Sequence, residues 1–309
     1  MPRDSFDPNT VPSPCFVIDE AAVERNLTRL RSVHERTGCS VLAALKAFAP
    51  HALFPMMREY LQGTCCSGPH EARLGAEMFG GETHVYAPAF KDDDMEELLG
   101  IANHITFNSF SQWRKFAPRI QAADRKIECG LRVNPEQSEA PVALYDPCAP
   151  GSRFGIRAKD LAGEDLTGLT GLHFHTLCEQ YSDALERTIA AVEEKFAPFL
   201  DQAQWVNFGG GHWITRPDYD IDHLCSMVSK FQEKHNVRVY LEPGRLLQST
   251  QAIWYLKWWT SSTTMARSRF LTLPPRLILQ TFWKCLSLLR FRAARSIRMS
   301  CHGRCDWEG

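Results

Sequence analysis

The chain of 309 residues is 44% hydrophobic and 23% charged, with a formal net charge of −1. That is the balance of a soluble globular protein of one large domain or two ordinary ones, and neither nucleic acid nor a membrane is expected as a partner. Eleven cysteines, an odd number without framework spacing, are expected to be reduced thiols in a cytoplasmic protein, and MPRDSFDPNTVPSP at the start lacks the apolar core of a signal peptide.

The small net charge hides an asymmetry. Residues 1–250 hold 25 Lys+Arg against 34 Asp+Glu, a net of −9, whereas residues 251–309 hold 10 against 2, a net of +8. Five of the eight tryptophans fall in that last stretch. So sharp a break marks a domain boundary, a basic tail or a segment foreign to the fold.

In chain order, PCFVID (14–19) reads as a short strand, and Asp19 can cap the helical run EAAVERNLTRLRSVHER. Eight further β-rich runs come after it: SVLAAL (40–45), GTCCS (63–67), THVYA (83–87), HITFN (104–108), IECGLRV (127–133), TGLHFH (170–175), QWVNF (204–208) and VRVYLE (237–242). Helix-like segments such as MEELLGIA, SQWRKF, SDALERTIAAVEEKFAPFL and DIDHLCSMVSKFQEKH occupy most of the intervals. Eight such alternations predict an α/β fold with a (β/α)8 barrel, an open doubly wound sheet being the runner-up.

Chemistry in such a barrel sits at the C-terminal ends of the strands. The residues there are Lys46, Ser67, Asn108, Asn134, His175, Gly209 to Gly211 and Glu242. Each has a bland reading. Lys46, inside the apolar run AALKAFAP, could snorkel its ammonium to water. His175 could be a hydrogen-bonded core histidine, FGGGHW a common glycine turn, and Glu242 of LEPG a cap or salt-bridge acid. His173 and His175 lie on one strand face, but no further ligand stands at metal spacing. Together the set has a sharper reading. A desolvated amine at Lys46, a flat imidazole, a glycine cradle for an anion and an acid for a ring nitrogen are what pyridoxal 5'-phosphate (PLP) requires.

Several stretches then resemble one family: ALKAFA, HEARLG, HVYAPAFKDDD, HITFNSFSQW, GLRVNPE, ALYDPCAPGSRFGI, GLHFHTLCEQ, NFGGGHWITRPDYD and VYLEPG. From about residue 12 to 244 the chain is similar to the fold-type III PLP-dependent decarboxylases, and among them to the carboxynorspermidine/carboxyspermidine decarboxylases, which are lyases of polyamine and spermidine biosynthesis. The resemblance implies that Lys46 carries PLP as a Schiff base, that His175 stacks on the ring and that Glu242 pairs with the ring nitrogen, these three being catalytic. It implies cofactor contacts from Arg132, Asn134, Gly209, Gly210 and Gly211, and substrate contacts from Glu179 and Arg153. It further implies a homodimer and a polyamine carboxylate as substrate.

The domains expected on this basis are residues 1–22, whose strand belongs to a second, β-rich domain, then a PLP-binding barrel over 23–244, then 245–309. In the family a small C-terminal β-domain comes after Gly244. Here RLLQSTQAIWYLKWW and the remaining residues to 309 lack alternating strands, so that domain is expected to be absent or incomplete. The preferred reading is an out-of-frame or otherwise replaced tail, with little turnover expected of the chain; a basic surface-binding tail is the rival. LILQTFWKCLSLL is too short to span a membrane, and CHGRC lacks a second cysteine pair for zinc. A racemase-like enzyme and a non-catalytic PLP-binding homologue remain as alternatives. A racemase of that kind presents an arginine, not Glu242, to the ring nitrogen.

Overall fold

The computed structural model describes residues 15–140, 142–244 and 252–255. The strand expected over PCFVID forms as β1 (Cys15–Ile18). The eight β-rich runs form β2 (Ser40–Ala44), β3 (Gly63–Cys66), β4 (Glu82–Tyr86), β5 (His104–Phe107), β6 (Glu128–Arg132), β7 (Gly171–His173), β8 (Trp205–Asn207) and β9 (Arg238–Leu241). They run parallel and close in sequence order into one barrel, with β2 pairing to both β3 and β9. A last strand, β10 (Ala252–Tyr255), pairs with β1 in a two-stranded sheet. The barrel lies within one compact unit, and Trp254 and Tyr255 fall in a second. The rest of 245–309, and residues 1–14, lie outside the described residues.

Local chemistry sets the helices. In α1 (Glu20–Thr37) the Asp19 carboxylate accepts from the Ala22 N–H at 3.1 Å, and Gly38 (φ 72°) ends the helix in the left-handed region. Val23, Leu27, Leu30 and Val33 form its buried stripe. Shorter helices come after β2 to β5: α2 (Phe54–Met57), α3 (Pro69–Leu74), α4 (Asp92–Ile101) and α5 (Phe110–Gln121). The long α6 (Ser182–Leu200) bends at Phe196 (φ −122°), two residues before Pro198, whose ring opposes regular helix there. Asp220 caps α7 (Ile221–His235), and Asn236 (φ 52°) closes it.

Inside the barrel, side chains stack in layers two residues apart along each strand. The lower layer contains His84, His104, Trp205 and Tyr240, all buried. The register sets Gly130 beside Gly171 and Gly171 beside Trp205. A Cβ on Gly171 would stand 1.8 Å from the indole, and one on Gly130 2.6 Å from it. Both glycines therefore exist to admit Trp205, whose Nε1 donates to the Thr170 hydroxyl at 3.2 Å. The His84 and His104 rings stack at 3.9 Å, 9° from parallel, and Glu82 lies 2.9 Å from His84 Nε2. Near-parallel rings do not aim their lone pairs at one point, and the Arg238 guanidinium is 3.6 Å from Glu82. This trio packs and pairs rather than chelates.

Burial, with the His84 charge next in weight, pushes the His104 imidazole down to about 2 from an ordinary value of about 6.5. The unfolded chain therefore binds a proton below pH ~6.5 that the folded chain refuses. Stability from this group is complete above that pH and falls with acid, by roughly 1.4 kcal/mol per pH unit while the difference lasts. Urea unfolding between pH 4 and 7 should show this acid slope, reduced in His104→Gln. Equal slopes in both proteins would count against it.

Candidate active site

Two residues beyond the lower layer, the strands present Tyr86, Arg132, His173, Asn207 and, just past β9, Glu242. Glu242 is 5% exposed. Its Oε1 accepts from Asn207 Nδ2 at 2.8 Å, and its Oε2 lies 3.7 Å from His173 Nε2. Among the described residues neither ring nitrogen of His173 has a hydrogen-bond partner. Burial by itself would raise the Glu242 carboxyl. The His173 ring and the Lys46 ammonium outweigh it and hold the carboxyl well below its ordinary value. Burial pushes His173 itself down against the pull of the Glu242 carboxylate, and the positive charges of Arg132 and Lys46 add to the downward push. The Lys46 charge favours the carboxylate and opposes a second positive charge on His173, so the acid of the pair stands ionised.

Lys46 lies in the turn just after β2 and is exposed. The burial expected to neutralise its amine is not present, because the turn carries the side chain to the barrel rim instead of into the strand core. Its charge nonetheless acts on Glu242, His173, His175 and the buried Cys65 thiol.

His175 lies just past β7 and is half-buried. Its Nδ1 accepts the Gly210 N–H at 3.1 Å. A backbone N–H can only donate, so this bond fixes the neutral ring with its proton on Nε2. Burial, then the Lys46 and Arg132 charges, push its pKa well below the ordinary histidine value. The glycine run after β8 has a packing origin. A Cβ on Gly209 would lie 2.5 Å from the Phe174 carbonyl, one on Gly210 2.1 Å from the Glu242 carbonyl, and one on Gly211 2.0 Å from the Leu177 carbonyl. Gly209 (φ 69°) and Gly211 (φ 90°) also occupy the left-handed region. The Gly209 N–H is given to Asn207 Oδ1 at 2.8 Å. The first two N–H groups expected to cradle an anion are thus committed to side chains in this structure.

No family model matches the chain. Against individual proteins it is 44% identical over 234 residues to the carboxynorspermidine/carboxyspermidine decarboxylase of Campylobacter jejuni subsp. jejuni serotype O:6, covering 76% of this chain and 60% of that protein. It is 40% identical over 237 residues to the carboxyaminopropylagmatine decarboxylase of Synechocystis sp., covering 76% and 61%. Over its barrel the chain is similar to carboxynorspermidine/carboxyspermidine decarboxylases. The crystal structure of the Campylobacter jejuni carboxynorspermidine decarboxylase, complexed with norspermidine, superposes with a TM-score of 0.71 at 42% identity, covering 77% of this chain and 61% of that one. The chain thus spans about three fifths of the length of these relatives.

Within this barrel the other expected residues divide. Arg132 is in the site: it is buried, its guanidinium lies between the Tyr86 and Phe154 rings at 4.7 and 4.8 Å, and its Nη2 donates to the His175 carbonyl at 3.0 Å. Asn134 is buried nearby, but its Oδ1 accepts the Glu136 N–H at 2.9 Å and so serves the local turn. Arg153 is exposed at the rim, over Phe154. Glu179 is half-buried with φ 61°, an uncommon backbone for a glutamate. The sequence reading did not select Asn207, Tyr86 or Cys65. Their signal is the two-residue step: each lies on the strand face that the lower layer already marks.

Removing the positive charge in Lys46→Met should let the Glu242 and His175 pKa values move up. An NMR titration of the His175 ring should find its protonation at higher pH in the variant. An unchanged titration would show that water screens the ammonium from the site.

Proposed function

We propose that this chain carries the cofactor barrel of a PLP-dependent decarboxylase acting on a carboxylated polyamine, namely carboxynorspermidine, carboxyspermidine or carboxyaminopropylagmatine. The proposal extends to a cytoplasmic homodimer, with residues 1–22 contributing to a second domain, 23–244 forming the barrel and 245–309 a non-family tail. The observation that carries it is the buried, ionised Glu242 with one oxygen fixed by Asn207 and the other beside an imidazole that has no hydrogen-bond partner among the described residues. That arrangement suits a cationic ring nitrogen. The fit to PLP rests also on an amine at the rim whose charge reaches that acid, and on a glycine loop that side chains would fill.

Lys46 would bind the cofactor covalently, and Glu242 would face its ring nitrogen. His175 would present a flat neutral ring, and the glycine loop and Arg132 would complete the seat, with Asn134 as a further contact. When bound, PLP supplies an electron sink for the pair of electrons left as a substrate carboxylate departs as CO2. The carboxylate of Glu242 holds a proton at the nitrogen it faces, because an anion beside that atom favours its charged form. The neutral Nε2–H tautomer of His175 adds no positive charge to compete for Glu242. Lys46, at the exposed rim, is the group placed to return a proton to the carbon that lost CO2, so that one proton is taken up for each CO2 released. Glu179 would attract an ammonium of the substrate, and Arg153 its carboxylate. The carboxylate at Glu242, in place of an arginine, favours this reading over a racemase-like one; the tail leaves a non-catalytic PLP-binding homologue as the second reading.

Borohydride reduction of the chain with PLP, followed by peptide mapping, should place the pyridoxyl group on Lys46. A label elsewhere, or none, would overturn the proposal. Release of CO2 from the three substrates should be low in this chain, in keeping with its basic tail; rapid release would refute the reading of the tail and leave the barrel assignment intact.

Where turnover is measurable, Glu242→Gln should lower it by on the order of 10² to 10³, the usual cost of losing a preorganised charge. An unchanged rate would mean that the sink is set elsewhere.

A further inference from the structure

We infer that Asn207 is a positioning residue that fixes the Glu242 carboxylate and the glycine loop through one buried amide. The inference rests on the reading of Glu242 as the acid facing the cofactor. Asn207 ends β8 and is 2% exposed. Its Nδ2 donates to Glu242 Oε1 at 2.8 Å, and its Oδ1 accepts the Gly209 N–H at 2.8 Å. The two neighbours determine the orientation of the amide independently. A backbone N–H cannot accept, so oxygen must face Gly209; an ionised carboxylate cannot donate, so the NH2 group must face Glu242.

The consequence is mechanical. Asn207 stands in register between His173 of β7 and Tyr240 of β9, so both hydrogen bonds are anchored in the sheet. Glu242 is left with one rotamer-fixing contact on Oε1 and with Oε2 turned toward His173. The same amide ties down Gly209, and Gly210 is tied in turn to His175. The acid, the loop and the histidine therefore form one connected unit, in which Asn207 is the member that a cofactor need not touch. An aspartate at 207 could still accept from Gly209, but it would set a second carboxylate against Glu242, and like charges at that distance cannot both remain ionised in a buried site. An alanine would leave the Gly209 N–H and Glu242 Oε1 without partners.

The experiment compares the full chain with Asn207→Asp, Asn207→Ala and the double variant Asn207→Asp/Glu242→Gln. Two measurements are made on each: PLP affinity and bound-cofactor absorbance across pH, and thermal stability without PLP. Asn207→Asp should weaken PLP binding at least tenfold and move the pH midpoint of the bound-cofactor spectrum upward. It should also lower the Tm at pH 7, with part of the loss regained in acid as the two carboxylates share a proton. In the double variant the amide and the acid exchange places, so both hydrogen bonds can re-form; its Tm without PLP should recover toward that of the parent. Parent-like PLP affinity and pH profile in Asn207→Asp and Asn207→Ala would overturn the inference, as would a double variant no more stable than Asn207→Asp. If the parent chain fails to bind PLP, the reading of Glu242 fails instead, while the recovery of Tm still tests the bridge.

Discussion

A single carboxylate, buried at the centre of a closed barrel and kept ionised, is the constraint around which the upper half of this protein is arranged. Burial alone works against the charge on Glu242. The surroundings reverse that by a direct hydrogen bond from Asn207, by the ring of His173 and by the field of Lys46. Burial, with the same field added, pushes His173 and His175 below the ordinary histidine value. One distribution of charge thus satisfies three titratable groups together, and moving any one of them would change the other two.

The lower half of the barrel makes that arrangement possible. Trp205 fills the space left by Gly130 and Gly171, and the stacked His84 and His104 rings close the layer with Tyr240. This floor is rigid because it is close-packed, and a close-packed floor holds the next layer in place. The two-residue step along β7 and β8 carries the packing of Gly171 and Trp205 directly into the positions of His173 and Asn207. Packing below and chemistry above are therefore parts of the same strands.

Much of this was legible in the chain itself. The run QWVNF formed β8 and VRVYLE formed β9 because β-rich character and flanking turn residues are local properties. Asp19 capped α1 as its position predicted, again through a contact three residues away. The converging rim residues were readable for the same reason: once the strands are located, their ends are known. The glycine run was legible as a special backbone, but its stated purpose was incomplete. Carbonyl groups of Phe174, Leu177 and Glu242, distant in sequence, are what exclude a side chain there.

By itself, the sequence determined the number and order of barrel strands, the Asp19 cap of α1 and the set of polar residues at the strand ends, because each depends on neighbours within a few positions. The tertiary structure alone decided that Lys46 stands exposed at the rim, that Asn134 turns to its own loop, and that Asn207 joins Glu242 across 35 residues of chain. Those outcomes depend on the register in which eight parallel strands close, which sets distances between residues that no local pattern relates.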